Sequence, residues 1–92
     1  HRAGIIHGDL TTSNMVVSRD QIALIDFGLS AVSEEVEARG VDLHVLFQTL
    51  RSTTADHALL RSAFLEGYGE MLPAADEVLA REQEIEKRGR YL

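Results

Sequence analysis

Two short apolar runs set between three polar landmarks constrain this chain more than any other feature. Met15-Val16-Val17 and Ile22-Ala23-Leu24-Ile25 read as strands, and Ser18-Arg19-Asp20-Gln21 reads as a tight connection between them. The pattern predicts a β-hairpin. Asn14 stands just before the first strand and Asp26 just after the second. An antiparallel hairpin returns to its own start, so these two residues, twelve apart in sequence, become neighbours. Ile5-Ile6 is a further short apolar run leading into His7-Gly8-Asp9.

Beyond the hairpin the period changes. Leu43, Leu46, Phe47 and Leu50 follow i, i+3, i+4, i+7, one face of an amphipathic helix with Val41 and Asp42 near its start. Leu60, Phe64, Tyr68 and Met71 make a second stripe, entered at Ala55-Asp56 and weakened at its end by Gly67 and Gly69. Pro73 separates it from a third helix over 74–87, charged and modestly apolar through Val78, Leu79 and Ile85, with Gly89 as its stop. The expected fold class is α+β, mostly α: a loop and hairpin first, then about three helices.

Ninety-two residues make one small domain or one lobe of a larger one. The chain opens on His1 rather than Met, so a fragment is expected. No apolar run approaches the roughly 20 residues that span a bilayer, and no membrane partner is expected. Cysteine is absent, which excludes disulfides and thiolate metal sites. A net charge of −6 disfavours nonspecific nucleic-acid binding by the body of the chain. The sign reverses at Lys87-Arg88-Gly89-Arg90. Glu34-Glu35-Val36-Glu37 reads as a solvated loop face. His1, His44 and His57 are scattered and read as surface or core residues rather than zinc ligands.

The polar landmarks carry the chemistry. Ile6-His7-Gly8-Asp9-Leu10-Thr11-Thr12-Ser13-Asn14, followed by Asp26-Phe27-Gly28, supplies the acidic half of a phosphoryl-transfer site. Asp9 is the candidate base that accepts or orients the proton of an attacking hydroxyl or water. Asn14 and Asp26 offer hard oxygen ligands suited to Mg²⁺. His7 is placed to hydrogen-bond backbone near Asp26 and hold the loop. Gly28 would let the chain turn sharply after the metal ligand, and Phe27 would pack inward beneath the site. Asp42 reads on residues alone as a plain helix cap; the resemblance to a kinase-like lobe that these motifs carry implies instead a carboxylate reaching back to backbone N–H groups of the Asp9 loop, and the second role is favoured.

With those residues in place, and with Ile25-Asp26-Phe27-Gly28-Leu29-Ser30, Val41-Asp42-Leu43, Val45-Leu46 and the closing Arg88-Gly89-Arg90, the chain resembles the C-terminal lobe of the protein-kinase-like fold. Within that fold it looks like the small atypical kinase subunit of the KEOPS (EKC) complex, a family related to the RIO kinases. The resemblance spans residues 1–92, with the N-terminal lobe, its glycine-rich loop and its lysine absent. It implies ATP and Mg²⁺, an atypical Ser/Thr kinase or ATPase activity, and a cytoplasmic home. It also implies a tRNA threonylcarbamoyltransferase as partner subunit or fused domain, other KEOPS subunits, and tRNA indirectly. By the same resemblance Lys87, Arg88 and Arg90 form a tail that reaches the partner or tRNA; on residues alone they can equally be cations compensating a helix C-terminus.

Three departures from ordinary protein kinases stand out. Gly8 replaces the arginine that pairs with an activation-segment phosphate. Thr11 stands where many Ser/Thr kinases place a lysine. Only thirteen residues separate Gly28 from Asp42, too few for a usual peptide-docking platform. Together they favour an ATPase-like engine working inside a complex. A small-molecule phosphotransferase of the aminoglycoside or choline kinase type is the second reading, and a non-catalytic interaction module the third. Alone, these residues lack half a nucleotide pocket and are expected to be inactive.

Overall fold

The computed structural model describes residues 1–90, the side chain of Arg90 excepted, so the expectations that fall on that side chain and on Tyr91-Leu92 lie outside the described residues. The element order is β1 (Ile5–Ile6), a 3₁₀ turn (Thr12–Asn14), β2 (Met15–Ser18), β3 (Gln21–Leu24), β4 (Ala31–Val32), α1 (Val36–Thr53), α2 (His57–Met71) and α3 (Ala75–Arg90). The expected order of loop, hairpin and three helices is what the chain adopts.

The hairpin pairs Met15 with Leu24, Val16 with Ala23, Val17 with Ile22 and Ser18 with Gln21. Arg19 and Asp20 both take positive φ, 48° and 63°, the two left-handed centres of a type I′ turn whose twist matches the strands. One further bond, from the Ile25 N–H to the Asn14 carbonyl at 2.9 Å, carries the ladder past the strands to the residue before Asp26. The return segment is more ordered than a free loop. Its β4 lies antiparallel on β1, with Ile5 opposite Val32 and Ile6 opposite Ala31.

The core lies below the loop. Leu10 from the Asp9 loop meets Leu43, Leu46, Phe47 and Leu50 of α1, Leu72, and Ala75 and Val78 of α3. Leu43 and Val78 are fully buried. Phe47 meets Phe64 of α2 edge-on, with ring centroids 5.9 Å apart, and Arg61 sits 4.6 Å above the Phe47 ring. Gly40 brings α1 close to α3, since a Cβ there would stand 3.2 Å from both Arg81 Cγ and Ile85 Cδ1.

Several expectations need correction. α1 begins at Val36, so Asp42 lies inside the helix rather than near its start. Its first two turns are held by polar contacts that leave no apolar period: Arg39 donates to the His1 carbonyl at 2.8 Å, and Glu37 accepts from Arg81 and Arg88 at 3.1 Å. The acidic run is therefore split, with Val36 and Glu37 helical. α3 runs through Gly89 instead of stopping there, so Arg88 and Arg90 join Lys87 in the helix. The stripe of α2 is only half covered, with Leu60 and Met71 exposed beside partly buried Phe64 and Tyr68.

Candidate active site

The Asp9 loop is shaped by its backbone before any side chain acts. Gly8 has φ +88°, and a Cβ on it would fall 2.2 Å from the Leu29 carbonyl oxygen. Only glycine fits, so the missing arginine at this position has a steric reason as well as an electrostatic one.

Asp42 holds this loop from below. Its carboxylate is buried inside α1 and accepts three hydrogen bonds: from the His7 N–H at 2.8 Å, the Gly8 N–H at 3.0 Å and His1 Nε2 at 2.9 Å. A position in the seventh residue of α1 excludes the capping role. The other nitrogen of the His1 ring lies 2.7 Å from the Tyr68 hydroxyl, which extends the network to α2. Burial pushes the Tyr68 hydroxyl up to about 12, with Asp42 adding to the rise and Arg39 opposing it.

His7 links the loop to the hairpin. The Asp9 N–H donates to its Nδ1 at 3.1 Å, so that nitrogen is bare. Nε2 then carries the hydrogen and donates to the Ile25 carbonyl at 2.8 Å, one residue before Asp26. The Phe27 ring lies 4.7 Å from the His7 ring, centroid to centroid, yet remains 46 % exposed, so it does not pack fully inward.

Asn14 and Asp9 are joined directly. The Asn14 amide donates to the Asp9 carbonyl at 2.9 Å and to its carboxylate at 3.1 Å. Both bonds use Nδ2, and among the described residues Oδ1 of Asn14 receives none. Asp26 is exposed and takes φ +59°, a left-handed conformation that aspartate tolerates better than most residues. The sharp turn expected at Gly28 is made here instead; Gly28 has no positive φ. The structure thus gathers Asp9, Asn14, His7 and Asp42 in one bonded set, with Asp26 at the adjoining end of the hairpin. Lys87 and Arg88 are on α3, where Arg88 pairs with Glu37. His1, Arg39 and Tyr68 support the site without any signal in the motif, because their partners lie 38 to 67 residues away.

Residues 1–80 match the model of the phosphotransferase enzyme family. The chain belongs to that family. It is 64 % identical over 92 residues to a probable bifunctional tRNA threonylcarbamoyladenosine biosynthesis protein of Methanoculleus marisnigri, which covers all of this chain and 18 % of that protein. A protein of the same description from Methanocorpusculum labreanum is 62 % identical over the same span. A probable serine/threonine-protein kinase BUD32 homolog of Archaeoglobus fulgidus is 47 % identical over 92 residues, all of this chain and 47 % of that protein. A serine/threonine-protein kinase and tRNA threonylcarbamoyladenosine biosynthesis, the two sides of the resemblance read from the motifs, stand in the names of these relatives. The chain spans less than half the length of each of them.

Proposed function

We propose that residues 1–92 are the C-terminal lobe of an ATP- and Mg²⁺-dependent atypical kinase or ATPase that serves tRNA threonylcarbamoyladenosine formation. The parent would be a transferase–kinase fusion or a separate KEOPS kinase subunit. The observation that carries this reading is the Asp9–Asn14 pair. Asn14 spends both its bonds from Nδ2 on Asp9 and, among the described residues, leaves its amide oxygen open, at the hairpin end where the Ile25 N–H bonds the Asn14 carbonyl one residue before Asp26.

That donor set fits magnesium, which takes hard oxygen ligands and keeps several waters. Asn14 and Asp26 would hold the ion, and the ion when bound neutralises charge on a triphosphate. Asp9 would orient the attacking hydroxyl or water and accept its proton, a contribution of about 10²–10⁴-fold. His7 positions the loop through Ile25, and Asp42 fixes the two amides that precede Asp9. With Gly8 and Thr11 contributing no cations, the charge on the phosphates falls mainly to metal and to residues outside this lobe, which favours hydrolysis over protein phosphorylation.

A lobe of a larger unit also accounts for the bare apolar surface. Val17, Ile22, Leu29 and Val32 are all well exposed around the hairpin and return segment, a face that further chain or a partner would cover. Among the described residues no helix is long and apolar enough to cross a membrane. Partners proposed by relationship are a threonylcarbamoyltransferase domain or subunit, other KEOPS subunits and, through them, tRNA. Lys87, Arg88 and Arg90 are assigned to that contact, with Arg88 bound to Glu37 in the lobe itself.

The test is metal-dependent ATP turnover by the full natural chain. Asp26→Ala is expected to abolish it and Asp9→Ala to reduce it at least about 100-fold. Unchanged turnover in both variants refutes the assignment and leaves an interaction module. Specific phosphorylation of an amino alcohol in a substrate screen would instead favour the small-molecule phosphotransferase reading.

A further inference from the structure

On the far side of α1 from the loop network, three metal-binding side chains meet. His44 projects from α1, and Glu82 and Glu86 sit one turn apart on the facing side of α3. His44 Nδ1 lies 3.7 Å from a Glu82 oxygen and 3.4 Å from a Glu86 oxygen. The set is not a solvated acidic patch. The Glu82 side chain is 5 % exposed, and its carboxylate takes part in no hydrogen bond among the described residues. His44 Nδ1 is itself fully buried and has no hydrogen-bond partner. A ring nitrogen removed from water without a hydrogen bond is costly to keep, and this one faces two carboxylates at ion-pair distance.

We propose that His44, Glu82 and Glu86 bind one divalent transition cation of the Zn²⁺ type, which clamps α1 to α3. The spacing suits it. Two ligand atoms about 2.0–2.1 Å from a tetrahedral ion stand about 3.3–3.4 Å apart, which is close to the observed separations and too long for a strong hydrogen bond. All three ligand atoms lie within 4.8 Å of one another, and the soft terminal torsion of glutamate closes the remainder. One imidazole nitrogen with two carboxylates selects Zn²⁺, Co²⁺ or Mn²⁺ over Mg²⁺, which favours oxygen ligands alone. Three protein ligands leave a fourth position for water.

The local charge tempers the affinity without reversing it. Arg51 contacts both oxygens of Glu86 at 3.3 Å, and Arg61 and Lys87 line the adjoining cavity. Glu82 lines the same cavity but forms no ion pair with an arginine or lysine among the described residues, and would be the anchoring carboxylate. None of these residues belongs to the phosphoryl-transfer set, so the two sites can be tested separately.

The experiment titrates Co²⁺ into the untagged, chelator-stripped full natural chain in excess Mg²⁺, following the visible ligand-field bands. The wild type is expected to take one Co²⁺ per chain in a site that Mg²⁺ does not fill, and Asp26→Ala is expected to do the same. His44→Gln and Glu82→Gln should each weaken it by more than the roughly 10–100-fold that loss of a supporting partner costs. Zn²⁺ should raise the melting temperature of the wild type and of neither variant. Glu82→Gln keeps the shape of the buried side chain and serves if His44→Gln fails to fold. Absence of Mg²⁺-resistant Co²⁺ binding in the wild type overturns the proposal. Equal Co²⁺ binding by wild type and both variants overturns it as well.

Discussion

Asp42 is the residue through which α1 sets the geometry of the Asp9 loop, and its removal gives the sharpest test of that geometry. Asp42→Ala deletes an acceptor of three hydrogen bonds, two of them from backbone N–H groups that have no other partner among the described residues. Each stranded donor costs about 1–3 kcal/mol. Breaking a buried charged contact by removing one side costs about 3–5 kcal/mol in all, and the same range applies here. At about 1.4 kcal/mol per factor of ten, local opening of the loop becomes at least about 100-fold more frequent. Amide-resolved hydrogen exchange on the full natural chain reads this directly, as faster exchange at His7 and Gly8 with little change along α3. Asp42→Asn keeps the shape and one acceptor oxygen, and should fall between the wild type and Asp42→Ala. Wild-type exchange at both amides in both variants would refute the claim that α1 holds the loop.

Three further outcomes follow from the same geometry. Gly8→Ala must accommodate a Cβ 2.2 Å from the Leu29 carbonyl at φ +88°, so it should destabilise by at least about 2 kcal/mol in denaturant unfolding, and Gly8→Arg by more. Asp26→Gly relieves a left-handed aspartate; it should leave stability unchanged or raise it by about 1 kcal/mol while abolishing ATP turnover, a split that a purely structural Asp26 would not give. Tyr68 is held neutral up to about 12, so the folded chain keeps a proton that the unfolded chain loses near 10. Its contribution to stability is complete below pH 10 and is lost as pH rises toward 12. In a Tyr91→Phe background, phenolate absorbance should appear near pH 12 in the folded protein, and titration near pH 10 would contradict the burial of Tyr68.

The hairpin was legible because its cause is local. Two short apolar runs and a two-residue turn lie within ten positions, from Met15 to Leu24, and pairing them needs no information from elsewhere. The apolar part of α1 was legible for the same reason, since Leu43, Leu46, Phe47 and Leu50 repeat at helical spacing. The first two turns of α1 were not, because Arg39, Gly40 and Asp42 are buried there for the sake of His1, Arg81 and the Asp9 loop. A polar or glycine residue buried against a distant partner leaves no periodic trace. Gly89 misled in the opposite direction: glycine weakens a helix by about 1 kcal/mol but does not end one. Glu37 shows why α3 continues toward it. Hydrogen bonds from Arg81 and then Arg88 hold its carboxyl below the usual carboxylate range and tie the start of α1 to the last turns of α3.

What the amino-acid order determined unaided is therefore the motif proposed for phosphoryl transfer: Asp9, Asn14 and Asp26, their order, and the hairpin that returns one to another. What only the tertiary structure decided is how that signature is held. Asp42 was already favoured as a carboxylate reaching back to the Asp9 loop, and it does so; His1 and Tyr68 join it from two separate segments that carry no sign of the role. The His44, Glu82 and Glu86 cluster likewise exists only because α1 and α3 meet face to face at Gly40. Periodicity records which face of an element is buried, through the shared cost of exposing apolar groups. It does not record which buried polar group will face which, because that depends on the angle and register at which two distant helices close.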